Sequence, residues 1–307
     1  MATTNSITTT YAGEALPGFV SAALLSSPTI FNGGVTVYPN VKYKQVLKKL
    51  DSNQLLADGT CDFTASSTLT QVERILQPKT LQVNMQICKT YYRDTWDALK
   101  MGYSAHDVIP ANFADYLVGY AAQKVAAENE VNIWQGDEDN SGEFDGFETL
   151  LAANAFQPAA QEVTGTTLSK TNIVAQVESI VDVIPATVWG KEDLKLYMGT
   201  KAVKFYIQAQ SALGYLDKYN VDQTAYNFQG IEILHCPGMS DNVIVAARKS
   251  DLAFGTGLMS DHNELKVLDM ADLDGSQNAR IIARLTAGAQ FVNGADICTY
   301  GISNGSN

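Results

Sequence analysis

Residues 110–134 read PANFADYLVGYAAQKVAAENEVNIW, and residues 135–151 continue QGDEDNSGEFDGFETLL. The first stretch decides the architecture. Pro110 suits the first turn of a helix, where the N–H it lacks would have no intrahelical partner. From Ala111 to Trp134 there is no proline, and the single glycine is Gly119. Phe113, Leu117, Tyr120, Ala127, Val131 and Trp134 recur at helical spacing. The spacing predicts one long helix with that stripe buried. At about 1.5 Å per residue it is a rod of roughly 38 Å, well beyond the ~11–12 residues of an average globular helix. Lys124 interrupts the stripe, while Ala114, Ala121, Ala122 and Ala126 keep the rod slim.

The stretch after the helix carries the strongest chemical signal. Asp137, Asp139, Ser141, Gly142, Glu143, Asp145 and Glu148 fall on the ligand positions of an EF-hand calcium loop, with Gly142 at the sharp turn. A hard cation needs that many oxygens converging on one point. Phe144 and Thr149 depart from the pattern, and the loop has no second copy to pair with. The same residues also make an acidic surface turn shaped by Gly142 and Gly146. The turn is the expectation; Asp137, Asp139, Ser141, Asp145 and Glu148 are the ligand set if calcium binds.

Outward from this centre, residues 69–76 and 80–87 read as strands around a Pro78-Lys79 turn. In the second, Leu81, Val83, Met85 and Ile87 alternate with Gln82, Asn84 and Gln86, which is a half-buried strand by period. The polar stretch 52–68 suits a long extended loop or hairpin. A second amphipathic helix spans 171–184, capped by Ser169 or Thr171 and stopped by Pro185. The last third alternates strands and turns: 194–198, 230–235, 243–247, 265–268, 279–285 and 295–300, with a helix over 201–212. Without regular βαβ alternation this is an α+β chain. It shows no internal repeat and no linker that would divide it into independent domains.

Composition narrows the function. The chain is 46% hydrophobic and 18% charged, which suits a protein that buries a real core. A net charge of −12 argues against a broad nucleic-acid grip, because each phosphate contact needs a cation. Weak DNA contacts are left to basic spots such as Lys42-Lys44 or Lys48-Lys49. Cys61, Cys88, Cys236 and Cys298 form no CxxC pair and read as small structural residues. His106, His235 and His262 give a metalloenzyme or a histidine-base hydrolase little to work with. No G-x-S-x-G, Walker loop or H-E-x-x-H is present. Gly255-Thr256-Gly257 lacks the rest of a dinucleotide fingerprint and reads as a turn. His235 and Cys236 are neighbours in a strand, so their side chains point to opposite faces. No catalytic residue is expected. Residues 1–40 are almost uncharged yet carry Phe19, Val20, Leu24, Leu25, Ile30, Phe31 and Val35. They form either an arm packed on its own domain or one ordered against a neighbouring subunit. The first basic residue is Lys42 and the apolar run 19–25 is short, so neither a signal peptide nor a membrane span is expected.

Several segments together resemble the major capsid proteins of tailed phages, the Hong Kong 97 fold, most closely those of crAss-like short-tailed phages and marine relatives. They are GEALPGFVSAALL (13–25), NGGVTVYPNVKYKQVLKKL (32–50), VERILQPKTLQVNMQICKTYYRDTW (72–96), NEVNIWQGD (129–137), GEFDGFETLL (142–151), NFQGIEILHCPGM (227–239), DLAFGTGL (251–258) and RIIARLTAGAQFVNGADICTYG (280–301). The resemblance implies an N-arm over 1–40 and an extended loop over 41–75. It implies a peripheral domain over 76–170 with its spine helix at about 110–135, an axial domain over 171–285, and a return to the peripheral domain over 286–307. It implies self-assembly as hexamers and pentamers into an icosahedral virion shell around DNA, made in a bacterial cytoplasm. Portal, scaffolding and head-auxiliary proteins are the implied partners. The family's turn accounts for GEFDGF without a metal, and a Lys–Asn cross-link found in some relatives cannot be placed here. An encapsulin-like compartment of the same fold and a soluble calcium-binding protein are the rival readings.

Overall fold

A computed structural model describes residues 27–52, 55–56, 58–59, 61, 68–88, 111–153, 157–212, 226–257 and 264–302. The apolar run 19–25 of the expected arm, His106 and His262 lie outside the described residues. In chain order the elements are α1 (Pro28–Phe31), β1 (Thr36–Tyr38), β2 (Gln45–Ser52), β3 (Leu69–Leu76), β4 (Lys79–Cys88), α2 (Ala111–Gln135), α3 (Phe147–Ala153), β5 (Glu162–Val163), α4 (Ile173–Asp182), β6 (Leu194–Met198), α5 (Thr200–Ala212), β7 (Tyr226–Phe228), β8 (Ile231–His235), β9 (Ile244–Arg248), β10 (Leu252–Thr256), β11 (Glu264–Asp269), α6 (Ala271–Asp274), β12 (Asn278–Phe291) and β13 (Cys298–Tyr300). Among the described residues no helix is long and apolar enough to cross a membrane.

A six-stranded sheet runs β5-β13-β9-β6-β8-β7. Its central strands are apolar at successive positions because both faces are covered. Leu196, Met198, Ile233, Ile244 and Ala246 join one core with Ile173, Val177, Ile180 and Val181 of α4 and Val203 and Tyr206 of α5. Their strand neighbours Tyr197, Leu234, Val245 and Ala247 point the other way, into a second core with Ile133 and Trp134 of α2. The apolar face of α4 is the expected one, but its cap differs. Asn172 stands at the N-cap without a side-chain cap bond. Its Oδ1 instead accepts the Ser169 N–H at 2.7 Å and closes the preceding turn, while Ser169 and Thr171 bond each other through their hydroxyls.

In a five-stranded sheet, β12 pairs with β4 along one edge and with β11 and then β10 along the other; β1 flanks β10. Ala279, Ile281, Ala283, Leu285 and Ala287 alternate into the core beside Ile87, Met85, Val83 and Leu81 of β4. Gln82, Asn84, Gln86 and Arg284 face out, so the period-two reading of β4 holds. The expected turn at Gly255-Thr256 does not exist: both residues end β10, and Gly255 lies opposite Gly288. A Cβ on Gly255 would sit 2.9 Å from Leu76, and one on Gly288 would sit 2.9 Å from Pro78. These glycines let the strand end of β3 cross over the sheet.

The sheets cut across the expected division of the chain. Strand β12, placed by the resemblance partly within the axial segment 171–285, pairs with β4 of the expected peripheral segment and carries β10 and β11 on its other edge. Residues 298–300, expected to return to that segment, instead join the six-stranded sheet. The chain crosses between sheets at Lys249–Asp251 and Gly294–Asp296, both single 3-10 turns. Neither has the Pro-, Gly- or Ser-rich length that marks a linker in a sequence.

The long helix α2 has the expected span and a partly different buried face: Trp134 is buried as expected, and the side chains of Phe113 and Leu117 lie outside the described residues. Val118, Ala121, Asn129, Glu130, Ile133 and Trp134 are buried, whereas Tyr120 is 46% and Val131 45% exposed. Two of the inward positions are polar because the N-terminal segment supplies their hydrogen bonds, so an apolar-only pattern selects the wrong stripe.

Candidate functional site

Strands β2 and β3 form a hairpin in which Val46 opposes Ile75, Lys48 opposes Glu73, Leu50 opposes Gln71 and Ser52 opposes Leu69. Directly opposed residues share a face, so each face of the hairpin can be read from its register. The inward face holds Leu47, Lys49, Arg74 and Leu76. Leu47 and Leu76 are buried with Ala253 of β10, and the Arg74 guanidinium lies 3.8 Å over the Phe291 ring. Lys49 donates to Asp296 at 2.7 Å. Arg248 donates to both oxygens of Asp251 at 2.9 and 3.0 Å and to Asp296 at 2.9 Å. Burial would raise the Asp296 carboxyl, but Lys49 and Arg248 outweigh it and hold it below the ordinary range. For Asp251 burial wins over Arg248, and its carboxyl is raised. This ionic cluster ties the hairpin to both crossings between the sheets.

The outward face is apolar and uncovered. Val46 is exposed at 41%, Leu50 at 61%, Ile75 at 50% and Leu69 at 69%, with the Lys48–Glu73 pair among them at 3.3 Å. Beyond the strands Leu55 and Leu56 are exposed as well. Scattered apolar residues on a surface are ordinary; four on one face of one hairpin mark a candidate interaction surface. Sequence patterning misses β2 because Lys48-Lys49 interrupts its apolar alternation.

A second constellation roots the N-terminal segment. The Thr29 N–H donates to Glu130 at 3.0 Å and the Thr29 hydroxyl donates to the other carboxylate oxygen. Trp134 Nε1 donates to Thr29 Oγ1 at 2.9 Å, and Asn129 Nδ2 donates to Ser27 Oγ at 3.0 Å. Trp134 also packs against Phe147 and Tyr197 with ring centroids 5.4 and 5.5 Å away. Burial raises the Glu130 carboxyl even against its bonds from Thr29 and Gly238.

The proposed calcium ligands do not converge. The Glu138 N–H donates to Asp145 at 2.8 Å, the Asp139 N–H donates to Asp137 at 3.0 Å, and the Asp137 N–H donates to Glu143 at 3.1 Å. Glu148 turns away and accepts the Ser240 N–H at 2.8 Å; burial raises its carboxyl. Ser141 is exposed. The carboxylates of Asp137, Glu143 and Asp145 thus accept loop N–H groups, and among the described residues no three acidic, histidine or cysteine side chains gather as a metal site. Gly146 N–H donates to Gly136 O at 2.9 Å, and Lys79 Nζ donates to Glu138 O at 2.8 Å. A Cβ on Gly136 would collide with the Phe144 carbonyl of the loop at 2.2 Å, and one on Gly146 with the Trp134 backbone of α2 at 2.5 Å.

His235 and Cys236 point apart as expected. His235 Nε2 meets Thr200 Oγ1 at 2.9 Å, with its basicity lowered by burial. Cys236 is fully buried and its thiol is pushed far up. Burial likewise pushes the Cys298 thiol up to about 12. No nucleophile and base meet here.

No family model and no curated protein matches this sequence. Solved structures do. The capsid of a native GTA particle shares 15% identity over 92% of this chain and 90% of that one, with a TM-score of 0.62. The satellite phage P4 procapsid with its size determination protein shares 11% over 94% and 90%, at 0.57. A virus-like particle from Pyrococcus furiosus shares 9% over 94% and 100%, at 0.52. The chain therefore has the α+β fold of phage-type capsid subunits, the Hong Kong 97 type that its segments resemble.

Proposed function

We propose that this chain is a structural protein that self-assembles into the icosahedral shell of a tailed bacteriophage, enclosing its DNA. The observation that carries the reading is the bare apolar face of the β2–β3 hairpin, on a fold shared with capsid subunits. Burying what remains exposed of Val46, Leu50, Leu69 and Ile75 against another copy would contribute roughly 1 kcal/mol per side chain, before ordering costs. Closed rings repeat the same contact at every subunit, so its contribution accumulates over the shell. Hexamers and pentamers, location in the virion, a portal and a scaffold follow from this reading; placement near crAss-like phages rests on the segment resemblance. The role is structural rather than catalytic, in keeping with the inert surroundings of His235 and Cys236.

Negative-stain microscopy of the purified protein tests the proposal. Closed particles hundreds of ångströms across are expected; a protein that stays monomeric as its concentration is raised would overturn it. The likeness to the virus-like particle from Pyrococcus furiosus keeps a protein compartment as the second reading. Particles from infected or expressing cells that hold nuclease-protected DNA support the phage shell, and particles filled with a protein cargo support the compartment.

A further inference from the structure

Glu130 is 2% exposed, and none of the ion pairs among the described residues includes it. Its surroundings are accounted for side by side. The N-terminal turn offers only the Thr29 N–H and hydroxyl. The loop after β8 offers the Gly238 backbone and the Cys236 thiol, which burial keeps protonated. Lys195 on β6 is engaged with Glu232 at 3.0 Å. On its own helix, Lys124 and Glu128 are exposed. A carboxylate enclosed without a cation is costly as an anion and far less so as a neutral acid. The short segment Ser27–Ile30 supplies two of its donors through Thr29 and covers it opposite the Gly238 loop, so its removal would open one side of the Glu130 carboxyl to water.

We propose that Ser27–Ile30 seats on α2 together with one proton on Glu130, making the root of the N-terminal segment a pH-sensitive latch. The direction follows from linkage. The seated carboxyl holds its proton more tightly than the freed one, so seating is complete below the ordinary glutamate range and weakens as pH rises through Glu130's raised value. Through that window one proton changes the seating equilibrium by up to about tenfold per pH unit. The latch belongs to the folded subunit, so its test does not depend on shell formation.

Hydrogen exchange of the full chain across pH provides the test. Rates for the peptide covering 27–34 are normalised to intrinsic rates and compared with 173–181 in the same molecules. The expected result is a protection ratio that falls as pH rises, and a flat ratio in Glu130→Gln. A flat ratio in the unaltered protein, or an unchanged slope in Glu130→Gln, overturns the latch. Should Glu130→Gln fail to fold, Thr29→Val answers the same question. It removes one donor to the anion, so the window should move to higher pH, and an unmoved window overturns the proposal.

Discussion

Lys49 and Asp296 are 247 residues apart in sequence and 2.7 Å apart in space. Through this bond the hairpin is held to the Gly294–Asp296 crossing, and Arg248 extends the tie to the other crossing. Asp296→Asn should cost about 1–2 kcal/mol, less than two fully buried charge-assisted bonds because both partners keep some solvent. The Asp296 carboxyl is held below its ordinary value. Its contribution is therefore present above the ordinary aspartate range and lost as pH falls through the lowered one. Urea melts of both proteins should differ at neutral pH and converge in strong acid; a constant gap would refute the linkage.

The outward face of the hairpin should be separable from folding. Leu50→Asp combined with Ile75→Asp alters two side chains that touch solvent. Melting should shift by less than about 0.5 kcal/mol, as for ordinary surface changes, while shells vanish from sedimentation profiles. Shells that survive both charges would place assembly elsewhere.

Gly119 lies inside α2 with open space around the position of a Cβ. Gly119→Ala should raise stability by about 0.5–1 kcal/mol, and Gly119→Pro should remove about 3 kcal/mol or more. Tyr120→Asp, on the same turn, should be mild because Tyr120 is half-exposed. Thermal melts of the three variants check the order.

The acidic loop offers a sharp comparison. With its carboxylates bonded to backbone N–H groups, a chelator should leave melting unchanged. Glu148→Gln, which keeps an acceptor for Ser240, should cost little. Gly146→Ala should be damaging, because its Cβ would meet the Trp134 carbonyl at 2.5 Å. A chelator-dependent drop in melting that Glu148→Gln abolishes would show that the loop binds calcium.

Period and punctuation made several elements legible from sequence. Leu194–Met198 is bounded as its pattern suggests, and Leu69–Leu76 likewise. The long helix stood out through length and lack of breakers. What could not be read depends on partners distant in sequence. Asn129 and Glu130 look like solvent-facing residues until Ser27 and Thr29 are seen against them. Gly255 looks like a turn until Leu76 is seen above it. The hairpin's role was hidden because lysines at 48 and 49 serve opposite faces, one pairing within the ribbon and one anchoring it to the body.

The seat of the hairpin is built from residues that a ribosome delivers late. Leu47 and Leu76 emerge early, but Ala253, Phe291 and Asp296 belong to the final fifth of the chain. The ladder of β4 likewise waits for β12, nearly two hundred positions downstream. Pairing across such separation is intrinsically slow, so the nascent ribbon emerges sticky and unseated. A translating polysome would thus hold many ribbons side by side before any has a body to rest on. If the chain assembles as proposed, chain completion, or a chaperone that shields residues 45–76 until then, would set when subunits become competent to meet one another.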